Sequence, residues 1–234
     1  MRAASTALLL LLPMAAACHA HGPCGRYLPA AEGDTWSYRL QNGVVETARV
    51  SAVSTTGATL ELRTLDSSGY GPSSSFELSC RGEVDFRTAT NGTGDVIASH
   101  GALPAPDKLA PGAAWRGETR SALVVAIPIH VDMTPGAPKV PQPVGTPIRV
   151  LDVVTSENRI DHEEDVEVPA GSFHALRVES DLRTMRLGSP GSFPSRRLVW
   201  LARDVGPVKI EVDRTLPGGT IESDVRELTA YVVR

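Results

Sequence analysis

Apolar and polar residues alternate with a period of two in short segments along most of this chain, and this pattern limits the fold more than any other feature. In residues 59–63 both leucines fall on one face and the polar residues on the other. Such alternation is typical of strands that bury one side. The same pattern recurs in residues 76–80, 127–133, 198–202, 208–212 and 225–233.

Helical periodicity is missing from the sequence. No window of a dozen residues combines a 3.6-residue apolar period with freedom from Pro and Gly. Turn-forming residues instead separate the alternating segments, at 56–57, 91–92, 188–191 and 217–219. The sequence therefore predicts an all-β, mostly antiparallel protein, with a curved sheet or half-barrel of about ten strands and few or short helices.

A proline-rich loop, residues 134–147, is the longest interruption of the strand pattern. Its composition favours an extended, polyproline-like connection between two strands. Such a loop is either a stiff connection or a docking segment for a partner. Pro128, just before it, cannot donate to a ladder, so strand 127–133 is expected at an edge or a bulge.

The first residues have the pattern of a secretory signal peptide. Arg2 precedes an apolar run over residues 7–17, which is shorter than the ~20 residues of a membrane-spanning helix. The small residues before Cys18 are similar to a bacterial lipobox, which predicts lipid on that cysteine; the alternative is ordinary cleavage after Ala17 or Ala20. The predicted division is a signal peptide (1–17), a lipid-anchored tether (18–26) and a single β domain (27–234).

The chain has three cysteines, and an odd thiol in an oxidising compartment needs an explanation. If Cys18 carries lipid, Cys24 and Cys80 remain as a disulfide pair. A reactive or metal-binding thiol is the alternative, but the CxxC spacing of such sites is absent.

The chain has a net charge of −4 and a pI near 5.9. It therefore lacks the excess of basic residues that nucleic-acid-binding proteins use, and a nucleic-acid partner is not expected. No phosphate-binding loop, nucleophile elbow or zinc-protease motif is present, and we expect no cofactor, no metal and no enzymatic activity.

One stretch, residues 160–173, concentrates acidic side chains around a histidine. Period two places Ile160, His162, Glu164 and the two following valines on one face, and Asp161 with three more carboxylates on the other. Arginines 177, 183 and 186 of the next hairpin arm are expected to neutralise some of these acids, in preference to a calcium ion. The simplest interpretation is a strand with a solvated face.

His162 and Glu164 interrupt an otherwise apolar face. Either this strand end protrudes from the core or the pair lines a cavity, and catalysis would require a third group. With Trp36 and Trp200, large aromatic residues that enter core faces, they form the candidate ligand or polar site. A hydrolase or metal-binding protein that uses His162 and Glu164 remains an alternative function.

Three groups of motifs resemble a broad group of uncharacterised bacterial exported proteins and lipoproteins that look like relatives of the periplasmic lipoprotein-carrier fold. They are the segments 27–38, 166–178 and 199–209, which contain YLP with GDTWSY, VEVPAGSFHALRV, and VWLA with VGPVK. The resemblance implies a curved antiparallel sheet with an apolar concave side, and it assigns no catalytic residues.

The resulting expectation is a non-enzymatic lipoprotein of the bacterial cell envelope, facing the periplasm and held in the membrane through Cys18. Because His19 is not the aspartate that resembles an inner-membrane retention signal, the outer membrane is favoured. Its expected ligand is a lipid or another apolar molecule on the concave side, and an envelope protein that docks on the proline-rich loop is the alternative partner. Without the anchor the protein would be periplasmic or secreted.

Overall fold

Twelve strands and a short 3-10 helix, Pro106–Lys108, form the part of the chain that the computed structural model describes. The described residues are 22–65, 73–89, 96–126, 147–188, 191–215 and 219–234. The strands are β1 (Thr35–Leu40), β2 (Val45–Ser54), β3 (Gly57–Leu65), β4 (Ser73–Ser79), β5 (Asp85–Ala89), β6 (Val96–His100), β7 (Ala114–Ala126), β8 (Pro147–Val168), β9 (Gly171–Arg186), β10 (Ser192–Ala202), β11 (Gly206–Thr215) and β12 (Ile221–Val232).

Every strand pairs antiparallel with its neighbours in the sequence, and β1 also pairs with β12, so the sheet closes into a barrel. Trp36 lies opposite Tyr231 and Tyr38 lies opposite Leu228 at this closure. The predicted all-β, antiparallel class is confirmed. The sheet forms a closed barrel and not only the predicted curved sheet or half-barrel, because the first and last strands satisfy each other's edge hydrogen bonds.

Two clusters of buried side chains fill one end of the barrel. The larger cluster is centred on Trp36, Val50, Trp200, Val208 and Leu228. The smaller one joins Leu109, Ile160, Leu176, Val178 and Leu201. Burying a side chain of this size stabilises a fold by roughly 1.5–3 kcal/mol, so these clusters supply much of the stability of the sheet.

The start of the described chain is fastened to the same end of the barrel. Cys24 is buried and forms a disulfide with Cys80, immediately after β4, which confirms the predicted pairing. Two residues later, Arg26 makes an ion pair with Asp204 in the turn between β10 and β11, at 3.0 Å. The N-terminal segment is therefore part of the folded body from Cys24 onward.

The β8–β9 hairpin folds back against β12. Its turn lies in the segment VPAGSF, residues 168–173, with Gly171 at a φ of 133°. The backbone N–H of Ala170 donates to the carbonyl of Leu228 at 3.0 Å, and the rings of Phe173 and Tyr231 pack edge to face with centroids 5.9 Å apart. These contacts fix the strand end that carries the acidic stretch.

Several sequence predictions lie outside the described residues. They are the signal peptide, the lipidation site Cys18, the strand at 127–133 and the proline-rich loop up to residue 146. Pro147, the last residue of that predicted loop, begins β8. No helix in the described segments combines the length and the apolar character needed to cross a bilayer.

Candidate functional site

The acidic stretch forms the second half of β8, as predicted, but a register shift changes which side chains share a face. Ile160 lies opposite Val178, whereas Glu164 lies opposite Ala175. The two partners are three residues apart on β9, so Ile160 and Glu164 point to opposite faces of the sheet. The prediction that Ile160 shares a face with Glu164 was therefore wrong, because a bulge inserts one residue between Ile160 and Glu163.

His162, Glu164 and Trp200 meet at this strand end, as the sequence proposed. The indole Nε1 of Trp200 donates to Oε1 of Glu164 at 2.7 Å, and Nε2 of His162 lies 3.3 Å from Oε2 of the same carboxylate. Nδ1 of His162 faces Oδ2 of Asp161 at 3.1 Å. Trp200 is buried, whereas the side chain of His162 is 44% exposed. We call these four residues the indole–carboxylate cluster.

Two cations complete the surroundings of the cluster. Arg177 lies opposite Trp200 in the β9–β10 register and approaches Asp161 at 3.6 Å and Glu164 at 3.8 Å. Lys209 lies opposite Trp200 in the β10–β11 register. Its ammonium is 5.1 Å from the centroid of the Trp200 ring, within the range of a cation–π contact. The carboxylates of this strand end are thus neutralised by cross-strand partners, as expected for Arg177.

The hydrogen bond from Trp200 is the main reason why the pKa of Glu164 is lowered, and the contacts with His162 and Arg177 act in the same direction. Burial opposes them. Glu164 therefore stays ionised at neutral pH and accepts two hydrogen bonds. A carboxylate held in this way orients an indole and an imidazole, but it is a poor proton acceptor for a substrate.

The arrangement has little in common with a hydrolytic dyad. Both ring nitrogens of His162 already face carboxylates, so neither is free to activate a nucleophile. Within the described segments, no contact joins this histidine to a Ser, Thr or Cys side chain. A nucleophile, a base and an orienting group within hydrogen-bond reach are the minimum for covalent catalysis.

Trp36, the fourth predicted site residue, does not join the cluster. Its indole Nε1 donates to the carbonyl of Val205 at 2.6 Å, and its ring is buried in the larger core cluster. It holds the β10–β11 turn against β1 and fills the end of the barrel. Trp36 is therefore a core residue and lies apart from the other three predicted site residues.

Sequence reasoning missed a second histidine on the same hairpin. Nδ1 of His174 lies 2.8 Å from Asp165, and its Nε2 lies 3.1 Å from Glu163. The bond with Asp165, followed by that with Glu163, raises the pKa of His174. The signal was available, because a strand that pairs back across a tight turn places His174 opposite Asp165.

The remaining predicted arginines have other roles. Arg186 makes two hydrogen bonds with Asp152, at 2.9 and 3.0 Å, near the opposite end of β8. Arg183 lies opposite Thr155 and lines a cavity instead of pairing with the acidic stretch. Across the segments that the structure describes, no group of three or more His, Cys, Asp and Glu side chains is arranged to hold a metal ion.

A cavity of about 910 Å³ is lined by residues of the neighbouring strands β7, β8, β9 and β10 and by His100 at the end of β6. Small and charged residues dominate its lining, and Leu182 and Pro194 are apolar exceptions. A second cavity of about 520 Å³, beside β2 to β4, is also largely polar. The apolar concave side implied by the family resemblance is filled at one end by the protein's own side chains.

Comparison with known proteins shows the fold. No protein-family model matches the chain, and no curated protein does. A candidate exported protein with a YmcC-like fold from Bacteroides fragilis superposes with a TM-score of 0.52 at 15% identity, over 89% of this chain and 100% of that one. The chain therefore shares the YmcC-like fold, and the curved β-sheet implied by the sequence resemblance is confirmed.

Two further solved structures are more distant. A candidate lipoprotein from Parabacteroides distasonis gives a TM-score of 0.43 at 14% identity, over 89% of this chain and 99% of that one. The hypothetical lipoprotein YmcC from Escherichia coli gives 0.43 at 10% identity, over 86% and 85%. Neither carries an argument about the chemistry of this chain.

Proposed function

We propose that this protein is an exported, non-enzymatic component of the bacterial cell envelope, anchored in the outer membrane by lipid on Cys18. The disulfide between Cys24 and Cys80 is the observation that carries the proposal. Stable disulfides form in oxidising compartments such as the periplasm. With two of the three cysteines joined, Cys18 is the thiol left for acylation.

The position of the disulfide also supports an anchoring role. Cys24 follows Cys18 by six residues (24 − 18) and is buried at the end of the barrel. Six extended residues span about 20 Å at most. A lipid on Cys18 would thus hold this end of the barrel, with its packed core, close to the membrane surface.

The geometry of the indole–carboxylate cluster supports a non-enzymatic role. Its histidine and the carboxylate of Glu164 are already engaged by neighbouring side chains. An apolar ligand is not part of this proposal, because polar and charged residues make up most of the lining of the two described cavities.

Docking of an envelope protein partner is a second candidate function, and exposed apolar side chains favour it. Met185 and Leu187 are 49% and 64% exposed near the β9–β10 turn, and Leu151 of β8 is 37% exposed. The backbone N–H of Leu187 donates to the carbonyl of Leu151, which places these residues together. They lie near the start of β8, where the predicted proline-rich loop enters.

Intact mass analysis of protein expressed with its own leader tests the main proposal. We expect a diacylated or triacylated N-terminus on Cys18 and a protein that fractionates with the outer membrane. Cys18→Ser should move it to the soluble fraction while Cys24 and Cys80 stay unreactive to alkylation. An unmodified wild-type chain recovered in the soluble fraction would rule out the anchor.

In-cell crosslinking tests the partner candidate. Leu187→Ser and Met185→Ser should lose specific crosslinks if this surface docks a protein, whereas Val53→Ser, at another exposed apolar position (40%), serves as the matched control. An unchanged crosslinking pattern in both surface variants would argue against this surface.

A further inference from the structure

Six polar side chains share one face of the neighbouring strands β2, β3 and β4 and line the cavity of about 520 Å³. Residues opposite each other in the register share a face, as do residues two apart in one strand. The six are Thr47, Arg49, Glu61, Arg63, Ser73 and Ser75. On β2 the alternate residues Ala48 and Val50 point the other way and pack in the larger core cluster. The six polar side chains are therefore on the face turned away from that core.

This polar face is accessible to a molecule from solution. Its three charged residues and Ser73 are exposed, and Thr47 and Ser75 are half-buried. The groups that line the cavity therefore meet solvent directly. A volume of about 520 Å³ lies within the range of small-molecule sites in proteins, about 300–1,000 Å³. A compact polar molecule fits such a space.

The three charged side chains of this face are not engaged by other described residues. Glu61 lies directly opposite Arg49, and Arg63 lies diagonally across from it. Among the described residues, none of the three forms an ion pair or a side-chain hydrogen bond. On the other face of β2, by contrast, Glu46 pairs with Arg226 at 2.9 Å. Like charges on adjacent strands destabilise a sheet, so the two guanidinium groups favour an anion between them.

The spacing allows both arginines to contact one anion. Diagonal neighbours of an antiparallel pair are about 7–8 Å apart, within reach of long side chains. A phosphate group, with two negative charges and several acceptor oxygens, suits two guanidinium groups better than a carboxylate does. The hydroxyl groups of Thr47, Ser73 and Ser75 line the same cavity and can donate to further oxygens. Glu61, opposite Arg49, is left to accept hydrogen bonds from an ammonium group.

We propose that this face binds a small aminoalkyl phosphate, in which Arg49 and Arg63 hold the phosphate group and Glu61 holds the ammonium group. The guanidinium groups donate charge-assisted hydrogen bonds to the phosphate oxygens, and the neighbouring hydroxyl groups donate to the oxygens that remain. The two positive charges and one negative charge of the protein match the two negative charges and one positive charge of such a ligand. This site goes beyond the proposed envelope role and does not depend on lipid on Cys18.

Isothermal titration calorimetry tests the site, with O-phosphoethanolamine, inorganic phosphate and ethanolamine as the probes. The protein is expressed with its own leader and carries Cys18→Ser, so that every measurement is made on a chain without lipid. At constant ionic strength we expect saturable binding of O-phosphoethanolamine, binding of inorganic phosphate that is weaker by about threefold or more, and no binding of ethanolamine. No saturable binding of either phosphate compound would overturn the proposal.

Three substitutions at exposed positions, where the fold should be retained, separate the roles of the charged groups. Arg63→Gln removes one guanidinium group, so the affinity for both phosphate compounds should fall at least about tenfold. Glu61→Gln should keep the binding of inorganic phosphate and abolish the preference for O-phosphoethanolamine. Arg214→Gln is the matched control, because Arg214 is an exposed arginine of β11 that forms no ion pair with the described residues. Its affinity should equal that of the unsubstituted site.

Lipid vesicles distinguish the two sources of such a phosphate. Sedimentation of the same protein with phosphatidylethanolamine vesicles, and not with phosphatidylcholine vesicles, would identify a lipid head group as the ligand. Binding of O-phosphoethanolamine without sedimentation would identify a free compound. An equal loss of affinity in Arg63→Gln and Arg214→Gln would overturn the proposal, because net charge alone would then explain the binding. Equal affinity for O-phosphoethanolamine and inorganic phosphate before substitution would overturn the role of Glu61.

Discussion

Trp200 and Glu164, 36 residues apart in the sequence, are joined by a 2.7 Å hydrogen bond from the indole Nε1 to the carboxylate. The ring of Trp200 is 7% exposed and belongs to the larger core cluster. Glu164 lies at the edge of that cluster, with its side chain 34% exposed. One end of the contact is therefore in the core and the other in water, which links core packing to a titratable group.

The first prediction concerns the acid stability that arises from this contact. The pKa of Glu164 is below its ordinary 4.5, so its contribution to stability is complete above pH 4.5 and is lost as the pH falls through the lowered folded-state pKa. Glu164→Gln removes that contribution. Urea unfolding at several pH values should show a shallower loss of stability below pH 4.5 than in the wild type.

Two further variants sharpen that comparison. Trp200→Phe should also make the loss of stability below pH 4.5 shallower, because it removes the hydrogen bond that contributes most to the lowered pKa of Glu164. Glu167 is an exposed carboxylate on the same strand, so Glu167→Gln should lose stability below pH 4.5 as steeply as the wild type. If all three variants lose stability equally slowly, the hydrogen bond between Trp200 and Glu164 is not the cause.

The second prediction concerns His174, whose pKa is raised above 6.5 by Asp165 and Glu163. A raised pKa gives stability that is complete below pH 6.5 and is lost as the pH rises through the folded-state pKa. NMR titration of the imidazole should place its midpoint above 6.5. Asp165→Asn should lower that midpoint more than Glu163→Gln, since the bond with Asp165 is the larger cause. The reverse order would contradict this geometry.

The third prediction concerns the disulfide. Cys24 and Cys80 are separated by 56 residues, and closing a loop of that length stabilises the fold by about 4 kcal/mol in the chain-entropy model. The double variant Cys24→Ala/Cys80→Ala should lose about that much free energy of unfolding, measured with urea. Cys18→Ser is the control and should leave stability unaltered. A loss below about 1 kcal/mol would mean that the unfolded chain is already constrained.

The fourth prediction uses two leucines in contrasting environments. Leu228 is 0% exposed and packs in the core beside β8, whereas Leu187 is 64% exposed. Leu228→Ala should cost about 2–5 kcal/mol, because it leaves a cavity in a packed core. Leu187→Ala should change stability by less than about 0.5 kcal/mol. Chemical denaturation of both variants provides the measurement, and similar losses would place Leu187 in a packed environment.

Much of the candidate site could be foreseen from strand periodicity and turn chemistry. The acidic stretch is a strand, the VPAGSF motif is its turn, and Arg177 returns alongside Asp161. The position of Ile160 could not be foreseen, because a bulge adds one residue without any change in the apolar–polar pattern. The contact between Trp200 and Glu164 could not be predicted either, since it depends on how β8, β9 and β10 are arranged in the sheet.

The sequence by itself determined the all-β class, the strand segments and the pairing of Cys24 with Cys80, because alternation, turn residues and cysteine number are local or countable properties. Only the tertiary structure decided that β1 meets β12, that His174 bridges two carboxylates and that the Nε of Arg197 is buried without a hydrogen-bond partner among the described residues. These features depend on register between distant segments. Register is set by the packing of the whole sheet, so no single stretch of sequence contains it.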